Sequence, residues 1–385
     1  METNEFIYLD NAATSFPKPP EVLTGMNEKY ARYGVSPGRG SYDLAVYAAE
    51  LVWQTREKLA RFFNAPDPNR VIFTANATDA LNLAIQGLLQ PGDHVVSTQL
   101  EHNSVLRPLY HLRERDGIAY DLVPFDEHGL VSPDDIVKAF KPKTKLVVIS
   151  HASNVLGTVQ PIKEIGCLCA EHGIPLLLDV AQSAGHIPIN MLEWQVSAIA
   201  FTGHKALMGP AGIGGLIISP DLELQTTRFG GTGVDSLNLR HTQSYPHRLE
   251  AGTLNMPGIF GLSAALDYLE QNKTKMQQQK TQLTKLLYEG LREIKGIRLL
   301  SPEPKAESVP VLTCTVKDRD ASVIGEILDG DYQIAVRTGL HCAPLVHKAL
   351  RTAETGAVRF SPGPFNTQAQ IKLAIRAMAE IAAML

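Results

Sequence analysis

From about residue 43 to 220 the chain is a succession of short, continuous apolar runs separated by helical or polar stretches, and that pattern leaves few folds open. The runs are Val71-Ile72-Phe73, Val95-Val96, Leu146-Val147-Val148-Ile149, Leu176-Leu177-Leu178 and Ile213 to Ile218. A strand with one wet face alternates apolar and polar residues, whereas an unbroken apolar run is buried on both faces. Such strands, joined by helices, make a mostly parallel sheet with helices on both sides. Ahead of the first run, Asp43 to Phe63 places Leu44, Tyr47, Ala48, Leu51, Val52, Leu59 and Phe62 at helical spacing and stops near Asn64-Ala65-Pro66, which predicts one long helix.

In sheets of this kind ligands bind beyond the carboxyl ends of the strands. Three residues with usable chemistry fall there: His151, Asp179 and Lys205. Asp179 closes the Leu176 run, and Lys205 follows Ala200-Phe201-Thr202-Gly203-His204. A strand-end carboxylate and a strand-end lysine together suit pyridoxal 5'-phosphate (PLP). The lysine would hold the cofactor aldehyde as a Schiff base, and the carboxylate would keep the pyridine nitrogen protonated, making the ring an electron sink. Either residue alone reads as a solvated lysine or a turn-capping aspartate.

The remaining candidates gain meaning from that pair. Thr74 to Asn82 leaves a strand and opens a helix, so the free N–H groups around Ala77 and Thr78 form a phosphate cradle, with Thr202 and His204 beside the lysine assisting. A plain N-cap by Asn76 or Thr78 is the alternative reading. His102, after the Val95-Val96 run, is placed to stack on the ring and to act as acid or base. Asn154 and Gln182 are candidate donors to the ring hydroxyl and its surroundings.

A second segment, Arg337-Thr338-Gly339-Leu340-His341-Cys342-Ala343-Pro344, follows a short run Ile334-Ala335-Val336. A loop cysteine beside a histidine and near an arginine can have its thiolate stabilised and act as a nucleophile. Arg359, in Val358-Arg359-Phe360-Ser361, offers a planar fork that fits an amino-acid carboxylate. Cys167 and Cys169 share a helical segment, and Cys314 an apolar one; all three read as structural, and nothing reaches metal-ligand spacing, so no metal is expected.

Length and composition set the frame. The 385 residues are expected to form a large PLP-binding domain over 16–260 and a smaller α+β domain from 1–15 and 261–385. The latter would contain a long polar helix from Leu262 to Ile294, interrupted near Asn272, and an amphipathic helix from Gln368 to Met384. A net charge of −4 without a Lys/Arg block gives no reason to expect nucleic acid or a membrane surface. No secretory signal and no membrane-spanning run are visible, so a cytoplasmic enzyme is expected.

Taken together, these segments resemble the class V aminotransferases of the fold type I PLP enzymes, and more narrowly the cysteine desulfurase and selenocysteine lyase family. The likeness runs from Tyr8-Leu9-Asp10-Asn11-Ala12-Ala13-Thr14 to Arg359-Phe360-Ser361, and the run at 337–343 is similar to that of the family's short-loop second group. The resemblance implies that Lys205 carries the cofactor and that Asp179 pairs with the pyridinium. It implies that Gln182 contacts the ring oxygen, that His102 stacks on the ring, and that Ala77, Thr78, Thr202 and His204 hold the phosphate. Asn154 and Arg359, with Arg337 and His341, would bind substrate, and Cys342 would accept its sulfur. Glu250-Ala251-Gly252-Thr253 matches a segment that reaches the phosphate of a neighbouring subunit, so Thr253 and a homodimer with shared sites are implied. Departures from the family are Thr202 for a common serine, Leu340 for a common histidine, and a cradle less rich in glycine. The implied reaction removes sulfur from L-cysteine, leaving L-alanine and a Cys342 persulfide for an acceptor protein or small thiol. The rivals are selenocysteine lyase, another class V reaction such as transamination or β-elimination, and a non-catalytic sulfur or PLP carrier.

Overall fold

The computed structural model describes residues 6–38, 40–234 and 236–384; the first five residues and Leu385, both assigned by sequence to the smaller domain, lie outside them. Its central element is a seven-stranded sheet in the order Val71–Thr74, Gly214–Ile218, Ala198–Thr202, Leu176–Asp179, Thr144–Ser150, His94–Thr98, Ala119–Val123. All pairings are parallel except the two made by Gly214–Ile218, which runs against both neighbours. The expected mostly parallel α/β sheet is therefore present, with one reversed strand that the apolar run at 213–218 could not reveal.

The continuous runs hide a period of two. In each strand successive residues feed opposite cores: Ile72, Val95, Leu146, Val148, Leu177, Ala198, Ala200 and Leu216 face one side. Their neighbours Val71, Phe73, Val96, Val147, Ile149, Leu176, Leu178, Ile199, Phe201 and Ile217 face the other. Helices Ala77–Leu88 and Asn103–Asp116 cover the first face with Leu81, Ile85, Val105 and Leu109. Helix Asp43–Phe63, matching its expected bounds, covers the second with Val52, Leu59 and Phe63. Each fully buried Leu, Ile or Phe contributes about 1.5–3 kcal/mol from removed apolar surface, so both layers lock the strand ends that carry the chemistry.

A second, four-stranded antiparallel sheet has the order Arg337–Gly339, Ala357–Phe360, Leu312–Val316, Ile297–Leu299. Its core includes Leu312, Cys314 and Phe360, with Ile371, Ala374 and Met378 from helix Gln368–Ala383. Ile7–Tyr8 joins this end of the molecule by pairing in parallel with Ile334–Ala335.

The helix expected over Leu262–Ile294 is Met256–Arg292, and it is continuous. Asn272 does not interrupt it, because its amide donates to the Tyr268 carbonyl one turn back and no proline or glycine follows until Gly290. The polar middle has another cause. Ile259, Phe260 and Leu266 pack in the central core, whereas Leu283, Leu287 and Leu291 pack in the second, and the residues between cross from one to the other.

Candidate active site

A cavity of about 250 Å³ lies at the carboxyl ends of the parallel strands. Its walls include Ala77, Thr78, His102, Asn154, Asp179, Gln182, Thr202, His204 and Lys205, all of them named by the sequence, together with Asn76, Ser104 and Ser150. A larger cavity of about 550 Å³, lined in part by Lys58, His186, Leu266 and Lys280, contains none of them.

The cradle is built at the start of helix Ala77–Leu88. Asn76 is its N-cap, accepting from Asp79 N at 2.9 Å, which satisfies one of the four orphan donors and leaves the N–H groups of Ala77 and Thr78 directed outward. The plain-cap reading thus holds for Asn76 without using up the cradle. Strand Gly214–Ile218 runs so close that a Cβ at Gly214 would lie 2.8 Å from Asn76 Cα. Thr202 Oγ1 is buried and, among the described residues, has no hydrogen-bond partner. An unpaired buried hydroxyl costs about 1–3 kcal/mol, and a phosphate oxygen received beside the helix start would satisfy it.

Lys205 is tied down through its neighbours. The His204 carbonyl accepts from Ser15 N at 3.1 Å and from Lys18 Nζ at 2.6 Å, and the Lys205 carbonyl accepts from Ser15 Oγ at 2.9 Å. Burial pushes the Lys205 ammonium down to about 8; Asp179 opposes this, while Arg359 and Arg337 reinforce it. A lysine in that range has an accessible free amine. Asp179 is raised by burial, and the Ala181 N–H at 2.9 Å and the Lys205 charge hold it back.

His102 caps helix Asn103–Asp116: its Nδ1 accepts from Ser104 N at 3.0 Å and lies 2.8 Å from Ser104 Oγ. Ser104 Oγ in turn meets Thr78 Oγ1 at 2.7 Å. Nδ1 is therefore an acceptor and the ring proton sits on Nε2. Burial, with Lys205, Arg337, Arg359 and Arg107 adding to it, pushes His102 down to about 4. At neutral pH it is an uncharged ring.

Gln182 donates to the Ala12 carbonyl at 3.0 Å. His151 turns away from the cavity, meeting Ser183 Oγ at 2.9 Å and stacking edge-on against Trp194. The structure also supplies residues that the sequence reading did not name. Glu101, fully buried, accepts from Thr98 Oγ1 at 2.7 Å and Ser150 Oγ at 2.7 Å, fixing the Ser150 wall. Only its place next to His102 could have drawn notice to it.

Cys342 adjoins this cavity without lining it. Arg337–Gly339 is a strand rather than part of the loop, so the cysteine sits on the short connection 340–343 ahead of helix Pro344–Ala349. Arg337 Nη2 lies 3.3 Å from Cys342 Sγ. The loop is pinned to the cavity wall: Asn103 N donates to the Cys342 carbonyl at 2.7 Å and Asn154 Nδ2 to the His341 carbonyl at 2.6 Å. His341 departs from expectation. It is buried, with ring nitrogens 3.2 Å from the Arg337 carbonyl and 3.2 Å from His347 Nε2, so neither is presented to thiol or substrate.

Arg359 is fully buried, held by Asp10 Oδ1 at 2.7 Å and by the Asn154 carbonyl at 3.2 Å, and its Nε has no partner among the described residues. Thr253 is exposed and does not reach this cavity; Glu250 beside it is buried in an ion pair with Arg56 at 2.7 Å. Among the described residues no cluster of His, Cys, Asp or Glu could hold a metal ion, and no helix is long and apolar enough to cross a membrane.

The model of the family described as Aminotransferase class-V matches residues 7–373. The chain belongs to that family. It is 36% identical, over 99% of its length and 96% of the relative's, to a protein of Methanothermobacter thermautotrophicus named a probable cysteine desulfurase. The apo structure of a cysteine desulfurase from Thermococcus onnurineus NA1 superposes with a TM-score of 0.92 at 32% identity, covering all of this chain and 96% of that one. The cysteine desulfurase CsdA of Escherichia coli, in its S-sulfonic acid form, gives 0.86 at 27% identity over 98% of this chain and 95% of that one. This class V chain thus carries the fold type I architecture that the resemblance implied.

Proposed function

We propose that this chain is a PLP-dependent cysteine desulfurase that converts L-cysteine to L-alanine and delivers the sulfur to Cys342. The observation that carries the reading is one juxtaposition. Lys205 and Asp179 share a cavity, and the loop of Cys342, which has a guanidinium on its sulfur, is hydrogen-bonded beside it, from Asn154 of the cavity wall to the His341 carbonyl and from Asn103 N to the Cys342 carbonyl. The full-length likeness to cysteine desulfurases supports it.

The residues fit the cofactor: unpaired Thr202 Oγ1 and the Ala77–Thr78 amides suit its phosphate, buried Asp179 its ring nitrogen, and uncharged His102 its ring face. Bound there, PLP supplies an electron-withdrawing ring that stabilises negative charge at the amino-acid Cα. Arg359, held through Nη2 by Asp10 and with its Nε unpaired among the described residues, would receive the substrate carboxylate. Lys205 would hold the cofactor, and its Nζ, as a free amine, would take the Cα proton. Cys342 Sγ, facing Arg337, would attack the substrate sulfur as its proton leaves. The new S–S bond forms as the Cβ–S bond breaks, and Cβ gains a proton to become the methyl group of alanine. L-Cysteine and the Cys342 thiol thereby become L-alanine and a Cys342 persulfide, which a thiol of an acceptor can remove.

The working unit in this reading is a homodimer. Phe229, Leu237 and Leu239 stand exposed ahead of Thr253, and Tyr42, Leu44, Val46 and Tyr47 form a second apolar patch, as surfaces that a second copy would cover. Anaerobic turnover of L-cysteine by the PLP-loaded protein, with a dithiol reductant present to release the persulfide sulfur as sulfide and assayed for alanine and sulfide together, tests the function. Equal yields that vanish in Cys342→Ala are expected. Pyruvate in place of alanine, or turnover indifferent to Cys342, would refute it.

A further inference from the structure

The chemistry above uses Cys342 but gives no reason for two buried histidines behind it. His341 is 2% exposed and His347 0%, and Thr352, against His347, is 3% exposed.

Their hydrogen bonds assign every proton. The Arg337 carbonyl can only accept, so His341 Nε2, 3.2 Å away, carries hydrogen and donates to it. Burial pushes His341 down to about 2, so the ring is neutral and its Nδ1 accepts. His347 Nε2, 3.2 Å from that Nδ1, must then be the donor. His347 is likewise neutral, pushed down by burial to about 4, which leaves its Nδ1 to accept from Thr352 Oγ1 at 2.8 Å. The His347 carbonyl, at 3.5 Å, is the poorer alternative for that hydroxyl. One ordered line of donors therefore runs from Thr352 through His347 and His341 to the backbone of Arg337.

The line ends where the backbone is strained. His341 and Cys342 are consecutive non-glycine residues with φ of 51° and 57°. Left-handed backbone costs such residues roughly 1–2 kcal/mol each, so something must hold them there. From the cavity side, Asn154 and Asn103 bind their two carbonyls. From the core side, the histidine line adds to the turn in which Ala343 N donates to the Leu340 carbonyl at 2.9 Å and buried Ala343 packs in the central core.

We propose that Thr352, His347 and His341 are positioning residues that hold the loop in its left-handed form and keep Cys342 Sγ under the Arg337 guanidinium. The inference rests on the reading of Cys342 as the nucleophile, but its test does not. In the PLP-loaded enzyme at neutral pH, the rate of iodoacetamide labelling is followed at Cys342 by peptide mass spectrometry, with half-buried Cys167 as internal reference. Thr352→Val keeps shape and removes the hydroxyl, and Thr352→Ser restores it. Loss of one buried hydrogen bond should slow Cys342 labelling about fivefold in the Val variant, with Cys167 unchanged and the Ser variant like wild type. His347→Leu should slow it likewise, and His347→Gln, whose amide can donate to His341, should restore it. If His347→Leu does not fold, the Thr352 pair decides. Cys342 labelling as fast or faster in Thr352→Val, or equally slow in Thr352→Ser, would overturn the proposal. Should Cys342→Ala turn over cysteine normally, the functional reading would fail while the labelling result stood.

Discussion

The cavity around Lys205 is made of strand ends, whereas Cys342 stands on a connection between a short strand and a short helix. In the cavity, Asp179 and Thr202 each close a strand packed between two apolar layers, so the backbone has one position and the side chains inherit it. The loop has no such layer. Its two left-handed residues are held by side chains and amides from elsewhere: Asn154, Asn103, and the His341–His347 contact. In the proposed reaction, the cofactor would therefore stand on strand ends fixed by the sheet, and the sulfur acceptor on a loop fixed by side chains from other elements.

Variants on the two sides should therefore fail differently. The largest effect is expected for Lys205→Ala, with alanine release falling about 10³-fold or more through loss of the proton-transfer group. Its Cys342 should label with iodoacetamide at the wild-type rate, and slower labelling would break the separation. Next, Asp179→Asn should reduce kcat about 10²-fold, the scale on which breaking a buried charge pair is felt, and should blue- or red-shift the bound cofactor's absorbance. An unchanged spectrum would argue that Asp179 does not meet the ring.

The amine of Lys205 offers a pH test of the same half. Burial lowers its ionisation to about 8, so the free amine becomes available at lower pH than in an exposed lysine. Covalent uptake of PLP by the apo-protein should rise about tenfold per pH unit below that point and level off above it. A rise continuing towards pH 10 would contradict the burial. Smallest of all, Thr202→Val should weaken PLP binding about fivefold by removing one hydroxyl from the cradle, with Thr202→Ser close to wild type. Equal affinities in all three would mean that the orphaned Oγ1 faces something other than phosphate.

Legibility from sequence divides along the same line. Strand ends announce themselves, because an unbroken apolar run that stops at Asp179, or just before Lys205, fixes both a burial and a position. The edge strand Ala119–Val123 went unread because Tyr120 and Asp121 are only half-buried and break the run. The direction of Gly214–Ile218 was hidden because apolar content does not encode which neighbour a strand pairs with. The cysteine segment was legible as residue types but not as geometry. Arg337–Gly339 became a strand only through pairing with Ala357–Phe360, and His341 turned inward because His347 waits in the core. The strand pairing depends on residues some way along the chain, and the His341–His347 contact on how the connection 340–343 turns into helix Pro344–Ala349, which residue types alone do not give.

In the proposed reaction the substrate sulfur passes to Cys342. A single turnover of the PLP-loaded enzyme with one equivalent of L-cysteine, without reductant and without air, followed by intact-mass and peptide mass spectrometry, addresses it directly. One added sulfur atom is expected on the peptide containing Cys342, in step with one alanine released. Alanine release with no sulfur on that peptide, or sulfur found on Cys167 instead, would contradict it.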